Sequence, residues 1–105
     1  MIATMVTFKD ERRRYTSEEL TAIFEGSAPH YRGMEGLRSK VYWIDAERGE
    51  FGGFYLWESA EQMRRVQGSA DWLETVRARY GITPTIRRFD APVTIDNGVP
   101  NGATG

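Results

Sequence analysis

The stretch that most constrains this chain is a pair of short, aromatic-rich strands that are apolar on both sides. Leu37 to Asp45 and Phe51 to Glu58 each alternate with the period of two of an extended strand. The five residues between them, Ala46-Glu47-Arg48-Gly49-Glu50, suit a hairpin loop containing glycine. In the first strand Leu37, Val41 and Trp43 share one face, with Arg38, Lys40, Tyr42 and Ile44 opposite; in the second, Phe51, Tyr55 and Trp57 oppose Phe54 and Leu56. An antiparallel hairpin covered by helices on one side usually keeps its other side polar. Two apolar faces call for two covers, and 105 residues make one domain with one core. The second cover is most economically another copy of the chain, so a homodimer is expected.

The remaining elements complete an α+β fold. Ile2 to Phe8 reads as a first strand, with Ile2, Val6 and Phe8 on one face. Thr16 followed by Glu19 has capping-box spacing, and Leu20, Ile23, Phe24 and Tyr31 then fall on one helical stripe. Pro29 is expected to bend or end that helix near Ala28. A second helical region comes in two pieces, Ser59 to Gln67 and Ala70 to Tyr80, broken at Gly68 and stopped by Gly81 with Pro84 beyond. Thr85 to Asp90 is the last strand. The order β-α-β-β-α-β is the ferredoxin-like sandwich. Residues 1–97 form the domain, with a β-like piece at Val93-Thr94-Ile95, and 98–105 read as a flexible C-terminal tail.

Composition narrows the function classes. A formal charge of −1, with 14 Lys+Arg against 15 Asp+Glu, argues against nucleic acid as the partner. Without cysteine there are no disulfides, thiolate nucleophiles or Cys-ligated metals, and one histidine rules out the usual His-rich metal sites within a chain. The apolar run at Met1 to Phe8 is too short to span a membrane, and a cytoplasmic protein is expected.

Three segments carry a family resemblance: Tyr31-Arg32-Gly33-Met34-Glu35-Gly36-Leu37, Lys40-Val41-Tyr42-Trp43-Ile44-Asp45, and Gly52-Gly53-Phe54-Tyr55-Leu56-Trp57-Glu58-Ser59. They resemble the ydhR-like monooxygenases of the dimeric α+β barrel superfamily, and the likeness continues through Arg79-Tyr80-Gly81-Ile82 and Asp96-Asn97. The resemblance implies a homodimer whose two sheets face each other. It also implies oxygenation of a small organic substrate without flavin, haem or metal, so no cofactor is expected. Haem-degrading relatives of this fold use an Asn on the first strand with a Trp and a His; here that strand has no Asn, and Asn97 and Asn101 both lie in the tail.

An oxygenase without a cofactor must make its substrate the reductant. Deprotonating a phenol, quinol or anthrone gives an electron-rich anion, which requires a base, donors for the anion, a flat slot and exclusion of water. His30, the one side chain whose ordinary pKa is near neutrality, is read either as that base or as a helix-end residue bonded to a carbonyl or solvent. His30, Tyr31 and Tyr55 are the catalytic candidates. Tyr42, Trp43, Trp57, Trp72 and Arg87 are the substrate-binding candidates, each ring being equally readable as core or dimer contact. Gly52-Gly53 inside a strand implies either tight packing against a neighbouring backbone or close approach of a ligand. The reading is a homodimeric, cofactor-independent monooxygenase of a small aromatic or polyketide-like compound. A non-oxidative enzyme (isomerase, cyclase or decarboxylase) on the same fold, or a dimer that only binds a small molecule, are the alternatives.

Overall fold

The structure, a computed structural model, describes residues 1–98; apart from Gly98, the expected flexible tail lies outside the described residues. The chain forms β1 (Ile2–Lys9), α1 (Ser17–Tyr31), β2 (Leu37–Asp45), β3 (Glu50–Trp57), α2 (Ala60–Gln67), α3 (Ala70–Tyr80) and β4 (Thr85–Asp90). The four strands make one antiparallel sheet in the order β2-β3-β1-β4. This is the ferredoxin-like α+β arrangement, with its second helix in two pieces.

Local chemistry sets the helix ends. The Glu19 amide donates to Thr16 Oγ1 at 3.0 Å while Glu19 Oε1 accepts from the Thr16 amide at 2.9 Å, the reciprocal pair read from the sequence. Ser59 and Ser69 cap α2 and α3 through their hydroxyls, and Gly81 closes α3 at φ 72°, a conformation that glycine adopts without a Cβ penalty. Between β1 and α1 the buried Asp10 carboxylate accepts the amides of Arg14 and Tyr15, both at 3.1 Å, which fixes the entry to the helix.

Three local expectations change. Pro29 neither ends nor interrupts α1, which runs on to Tyr31. Proline removes one amide donor, but it lies in the last turn, where the Arg32 amide still donates to the Ala28 carbonyl at 3.1 Å. A bulge between Leu37 and Ser39 shifts the β2 register, so Leu37 pairs with Trp57 and joins the face of Tyr42 rather than that of Val41 and Trp43. Val93 to Ile95 forms no strand within this chain, and Val93 and Ile95 are 80% and 82% exposed.

All three helices lie on one face of the sheet. Their buried Leu20, Phe24, Tyr31, Met63, Trp72, Val76 and Tyr80 meet Ile2, Val6 and Phe8 of β1 and Phe51, Tyr55 and Trp57 of β3. Fully burying one such large apolar side chain contributes about 1.5–3 kcal/mol. Trp57 has no exposed surface, and its indole N–H donates to Thr4 Oγ1 at 3.1 Å while the Thr4 hydroxyl donates to Gln67 Oε1 at 2.8 Å. Among the described residues, no helix lies on the other face. There the registers align Met5, Val41, Trp43, Phe54, Leu56, Arg87 and Phe89, with Val41 and Phe54 exposed.

Candidate active site

β2 and β3 position the site by pairing. Lys40 lies directly opposite Tyr55, and Tyr42 opposite Gly53, with all four on the helix-covered face. The last turn of α1 brings Tyr31 down onto this patch. Lys40 Nζ then stands 3.4 Å from the centre of the Tyr31 ring, 4.0 Å from that of Tyr42 and 4.6 Å from that of Tyr55. Lys40 makes no ion pair or hydrogen bond among the described residues; aromatic faces surround its amine where a buried cation would normally meet a carboxylate.

The two strand glycines have different reasons. A Cβ on Gly52 would meet the Val6 carbonyl oxygen at 1.8 Å, so this glycine permits the close approach of β1 to β3. A Cβ on Gly53 would meet Tyr55 Cε1 at 3.0 Å and Lys40 Cε at 3.1 Å. Gly53 therefore provides the space in which the lysine stem and the tyrosine ring lie together.

A cavity of about 410 Å³ opens between the end of α1 and the start of β2, lined by Tyr31, Arg32, Leu37, Arg38, Lys40 and Tyr42 among others. That volume suits a small aromatic molecule. Deeper in, Tyr31, Lys40 and Tyr42 also face a narrow cleft with Tyr55, Arg79 and Tyr80. Among the described residues, no Asp or Glu lines either of these two cavities. A third cavity, of about 400 Å³, lies near Asp10, Arg13 and Asp45, where Asp10 and Arg13 are engaged in the fold. Asp10 holds two amides, and the Arg13 guanidinium donates to the carbonyls of Ala46 and Glu47.

Burial, and then the Arg79 guanidinium, bring the Lys40 amine down to about 6. The ring faces pull the other way by favouring the cation, so the amine is held where both protonation states are within reach at neutral pH. Burial raises the Tyr42 hydroxyl, although its bond to Ser27 opposes the shift. Tyr55 is pushed far up by burial and by the neighbouring Tyr31, and Tyr80 is pushed up by burial to about 12. These tyrosines remain protonated and able to donate hydrogen bonds. Ser27 gives its hydroxyl proton to the Phe24 carbonyl at 3.0 Å, so Tyr42 is the donor in the 2.7 Å contact between the two hydroxyls. The Trp72 indole donates to the Tyr31 hydroxyl at 3.2 Å, which leaves the Tyr31 proton free for another acceptor.

The structure brings together Tyr31, Tyr42 and Tyr55 of the residues singled out from sequence, with Trp72 fixing Tyr31 from above. Trp57 stacks beneath Tyr55, at 5.8 Å between ring centres, but is sealed in the core. Trp43 and Arg87 project from the opposite face of the sheet, because their registers place them with Gly52 and Met5. His30 is exposed on the last turn of α1, touches the edge of Tyr31 at 5.2 Å between ring centres and lines neither cavity of the site. Lys40 was not among the candidates. Its signal was its parity: a lysine sharing a strand face with Tyr42 and Ile44 must have its amine either paired or deprotonated.

Among the described residues, no group of three His, Cys, Asp or Glu could hold a metal ion, and no helix is long and apolar enough to cross a membrane. Several solved structures share the fold. SnoaB, a cofactor-independent oxygenase from Streptomyces nogalater, is 14% identical with a TM-score of 0.65, over 90% of this chain and 95% of its own. An antibiotic biosynthesis monooxygenase is 12% identical with a TM-score of 0.62, over 87% and 98%. Rv0793 from Mycobacterium tuberculosis is 19% identical with a TM-score of 0.63, over 90% and 96%. No curated protein matches the sequence. The family described as "Putative mono-oxygenase ydhR" matches residues 5–87, which is most of the chain. The chain belongs to this ydhR family of monooxygenase-like proteins.

Proposed function

We propose that the protein is a cofactor-independent monooxygenase of a small phenolic or polyketide-like aromatic, with Lys40 as the base. The observation that carries this reading is the uncharged-capable amine of Lys40 set among Tyr31, Tyr42 and Tyr55 at the head of a substrate-sized cavity. Lys40 removes the acidic proton of a phenol, quinol or anthrone. The positive field of Arg79 and the free Tyr31 hydroxyl proton favour the resulting anion, with no carboxylate among the described lining residues to repel it. The anion passes an electron to dioxygen, and the two radicals combine at carbon. The peroxide anion takes back the proton held by Lys40, and loss of water from the hydroperoxide, with the hydrogen of the same carbon, leaves one oxygen in the product and sends the other to water. SnoaB, which shares the fold, is described as working without a cofactor, in keeping with this chemistry.

The reading includes a second copy of the chain. The uncovered sheet face presents Val41 and Phe54 with Met5, Leu56 and Phe89 beside them, and Val93 and Ile95 extend from the domain with nothing against them among the described residues. A homodimer would cover both. Light scattering at micromolar concentration is expected to give twice the chain mass, and a monomer would refute this part.

The central test is oxygen uptake by metal-stripped protein against quinols, anthrones and catechols. Wild type is expected to yield a one-oxygen product at a rate that rises with pH through about 6 as Lys40 loses its proton. Lys40→Met is expected to be slower by roughly 100-fold or more, the usual contribution of a general base, and His30→Ala to match wild type. Full activity in Lys40→Met, or no uptake from any of these substrates, would overturn the proposal.

A further inference from the structure

The chain meets almost all of its need for positive charge with arginine. Of its 14 Lys and Arg residues only Lys9 and Lys40 are lysines. Lys9 lies at the exposed end of β1; Lys40 stands inside the aromatic cage. The difference matters chemically, because a guanidinium does not give up its proton in a protein, whereas an ε-amine can become a free nucleophile. No acceptor or carboxylate occupies the amine among the described residues, and Lys40 lines both the cavity of about 410 Å³ and the narrow cleft behind it. Tyr31 and Tyr42 line both spaces and turn their ring faces toward the amine.

We propose that Lys40 is a covalent carbonyl-capturing site, which condenses with flat aromatic aldehydes or ketones that enter the cavity between α1 and β2. Lys40 Nζ attacks the carbonyl carbon and a carbon–nitrogen bond forms. The carbonyl oxygen departs as water with the two protons of the amine, leaving an imine; no electrons are gained or lost overall. The cavity walls recognise the ring, and the absence of acidic residues in its lining tolerates substituents such as a phenolate. This inference rests on the same cavity and amine as the oxygenase reading, but not on any reaction with oxygen.

The test is reductive trapping on the full-length wild-type protein. Protein is incubated with 2-naphthaldehyde and cyanoborohydride near pH 7, and peptide mass spectrometry locates the secondary amine formed when hydride adds to the imine carbon. Its competitors are Lys9 and the Met1 amine. An ordinary lysine is free amine in roughly 0.04% of molecules at this pH, so Lys40 is expected to be labelled at least about tenfold faster than Lys9. Labelling at Lys40 is also expected to fall as pH drops below about 6, and small aliphatic aldehydes should show a weaker preference for it. Labelling of Lys9 and Met1 with Lys40 untouched would overturn the proposal, as would equal labelling of Lys9 and Lys40. Because no variant is needed, misfolding cannot obscure the result. Trapping without oxygen uptake would overturn the oxygenase reading alone, and oxygen uptake without trapping would overturn this proposal alone.

Discussion

Replacing Lys40 by Met should stabilise the protein, and the gain should shrink as pH rises. The lysine's pKa lies at about 6 in the folded protein, against 10.5 for an ordinary lysine. Between those values the unfolded chain binds more protons than the folded one, so wild-type stability climbs with pH across this window and is lost as pH falls toward 6. Methionine keeps the apolar stem over Gly53 and does not titrate, so Lys40→Met lacks this slope. Each pKa unit is worth about 1.4 kcal/mol, giving a ceiling of roughly 2.7 kcal/mol between pH 7 and pH 9. Lys40 is only half-buried, and solvent screening brings the expected change to about 1.5 kcal/mol. Tyr55 and Tyr80 are raised beyond this range and remain protonated in both folded proteins, so neither contributes to the difference. The assay is urea unfolding of both proteins at the two pH values. A Lys40→Met advantage that is the same at pH 7 and pH 9, or that grows with pH, would show that the amine is not held in its low-pKa state.

The glycines of β3 should respond unequally. Gly52→Ala drives a Cβ into the Val6 carbonyl and should cost about 3 kcal/mol or more, because backbone must move. Gly53→Ala meets only the ends of Lys40 and Tyr55 and should cost about 1 kcal/mol while displacing the amine, so its main effect should be on turnover; urea unfolding and oxygen uptake separate the two. Trp57→Phe removes the donor to Thr4 and leaves space in the centre of the core, with an expected loss of about 2–4 kcal/mol by the same unfolding assay. Thr16→Ala breaks the reciprocal cap of α1 and should lower stability by about 1 kcal/mol; an unchanged midpoint would mean that packing alone sets the helix start.

How far the sequence could be read depended on whether the deciding interaction was local. The cap at Thr16, the stop at Gly81 and the alternation of β3 are written in neighbouring residues, and they formed where their spacing placed them. Pro29 misled because a missing amide is costly in mid-helix but cheap in a last turn held by Arg32, and the position of that turn depends on Tyr31 packing below it. The Leu37 bulge was equally invisible, since alternation alone assumes an unbroken register. At the site, the tyrosines were legible as a group and alternation set Trp43 across β2 from Tyr42, but which face the helices cover was not legible, so Trp43 stood among candidates that lie across the sheet from it. Histidine drew attention because its ordinary pKa is near neutrality, yet exposure at the end of α1 leaves it outside both cavities. Lysine has no such signal in a sequence, because its pKa becomes useful only once a fold buries it. Here the surroundings of the amine come from three segments far apart in the chain: α1 supplies Tyr31, β3 supplies Tyr55 and the space at Gly53, and α3 supplies the charge of Arg79. The chemistry of Lys40 is thus a property of the tertiary structure, while the parity that turns it inward was already present in Lys40, Tyr42 and Ile44.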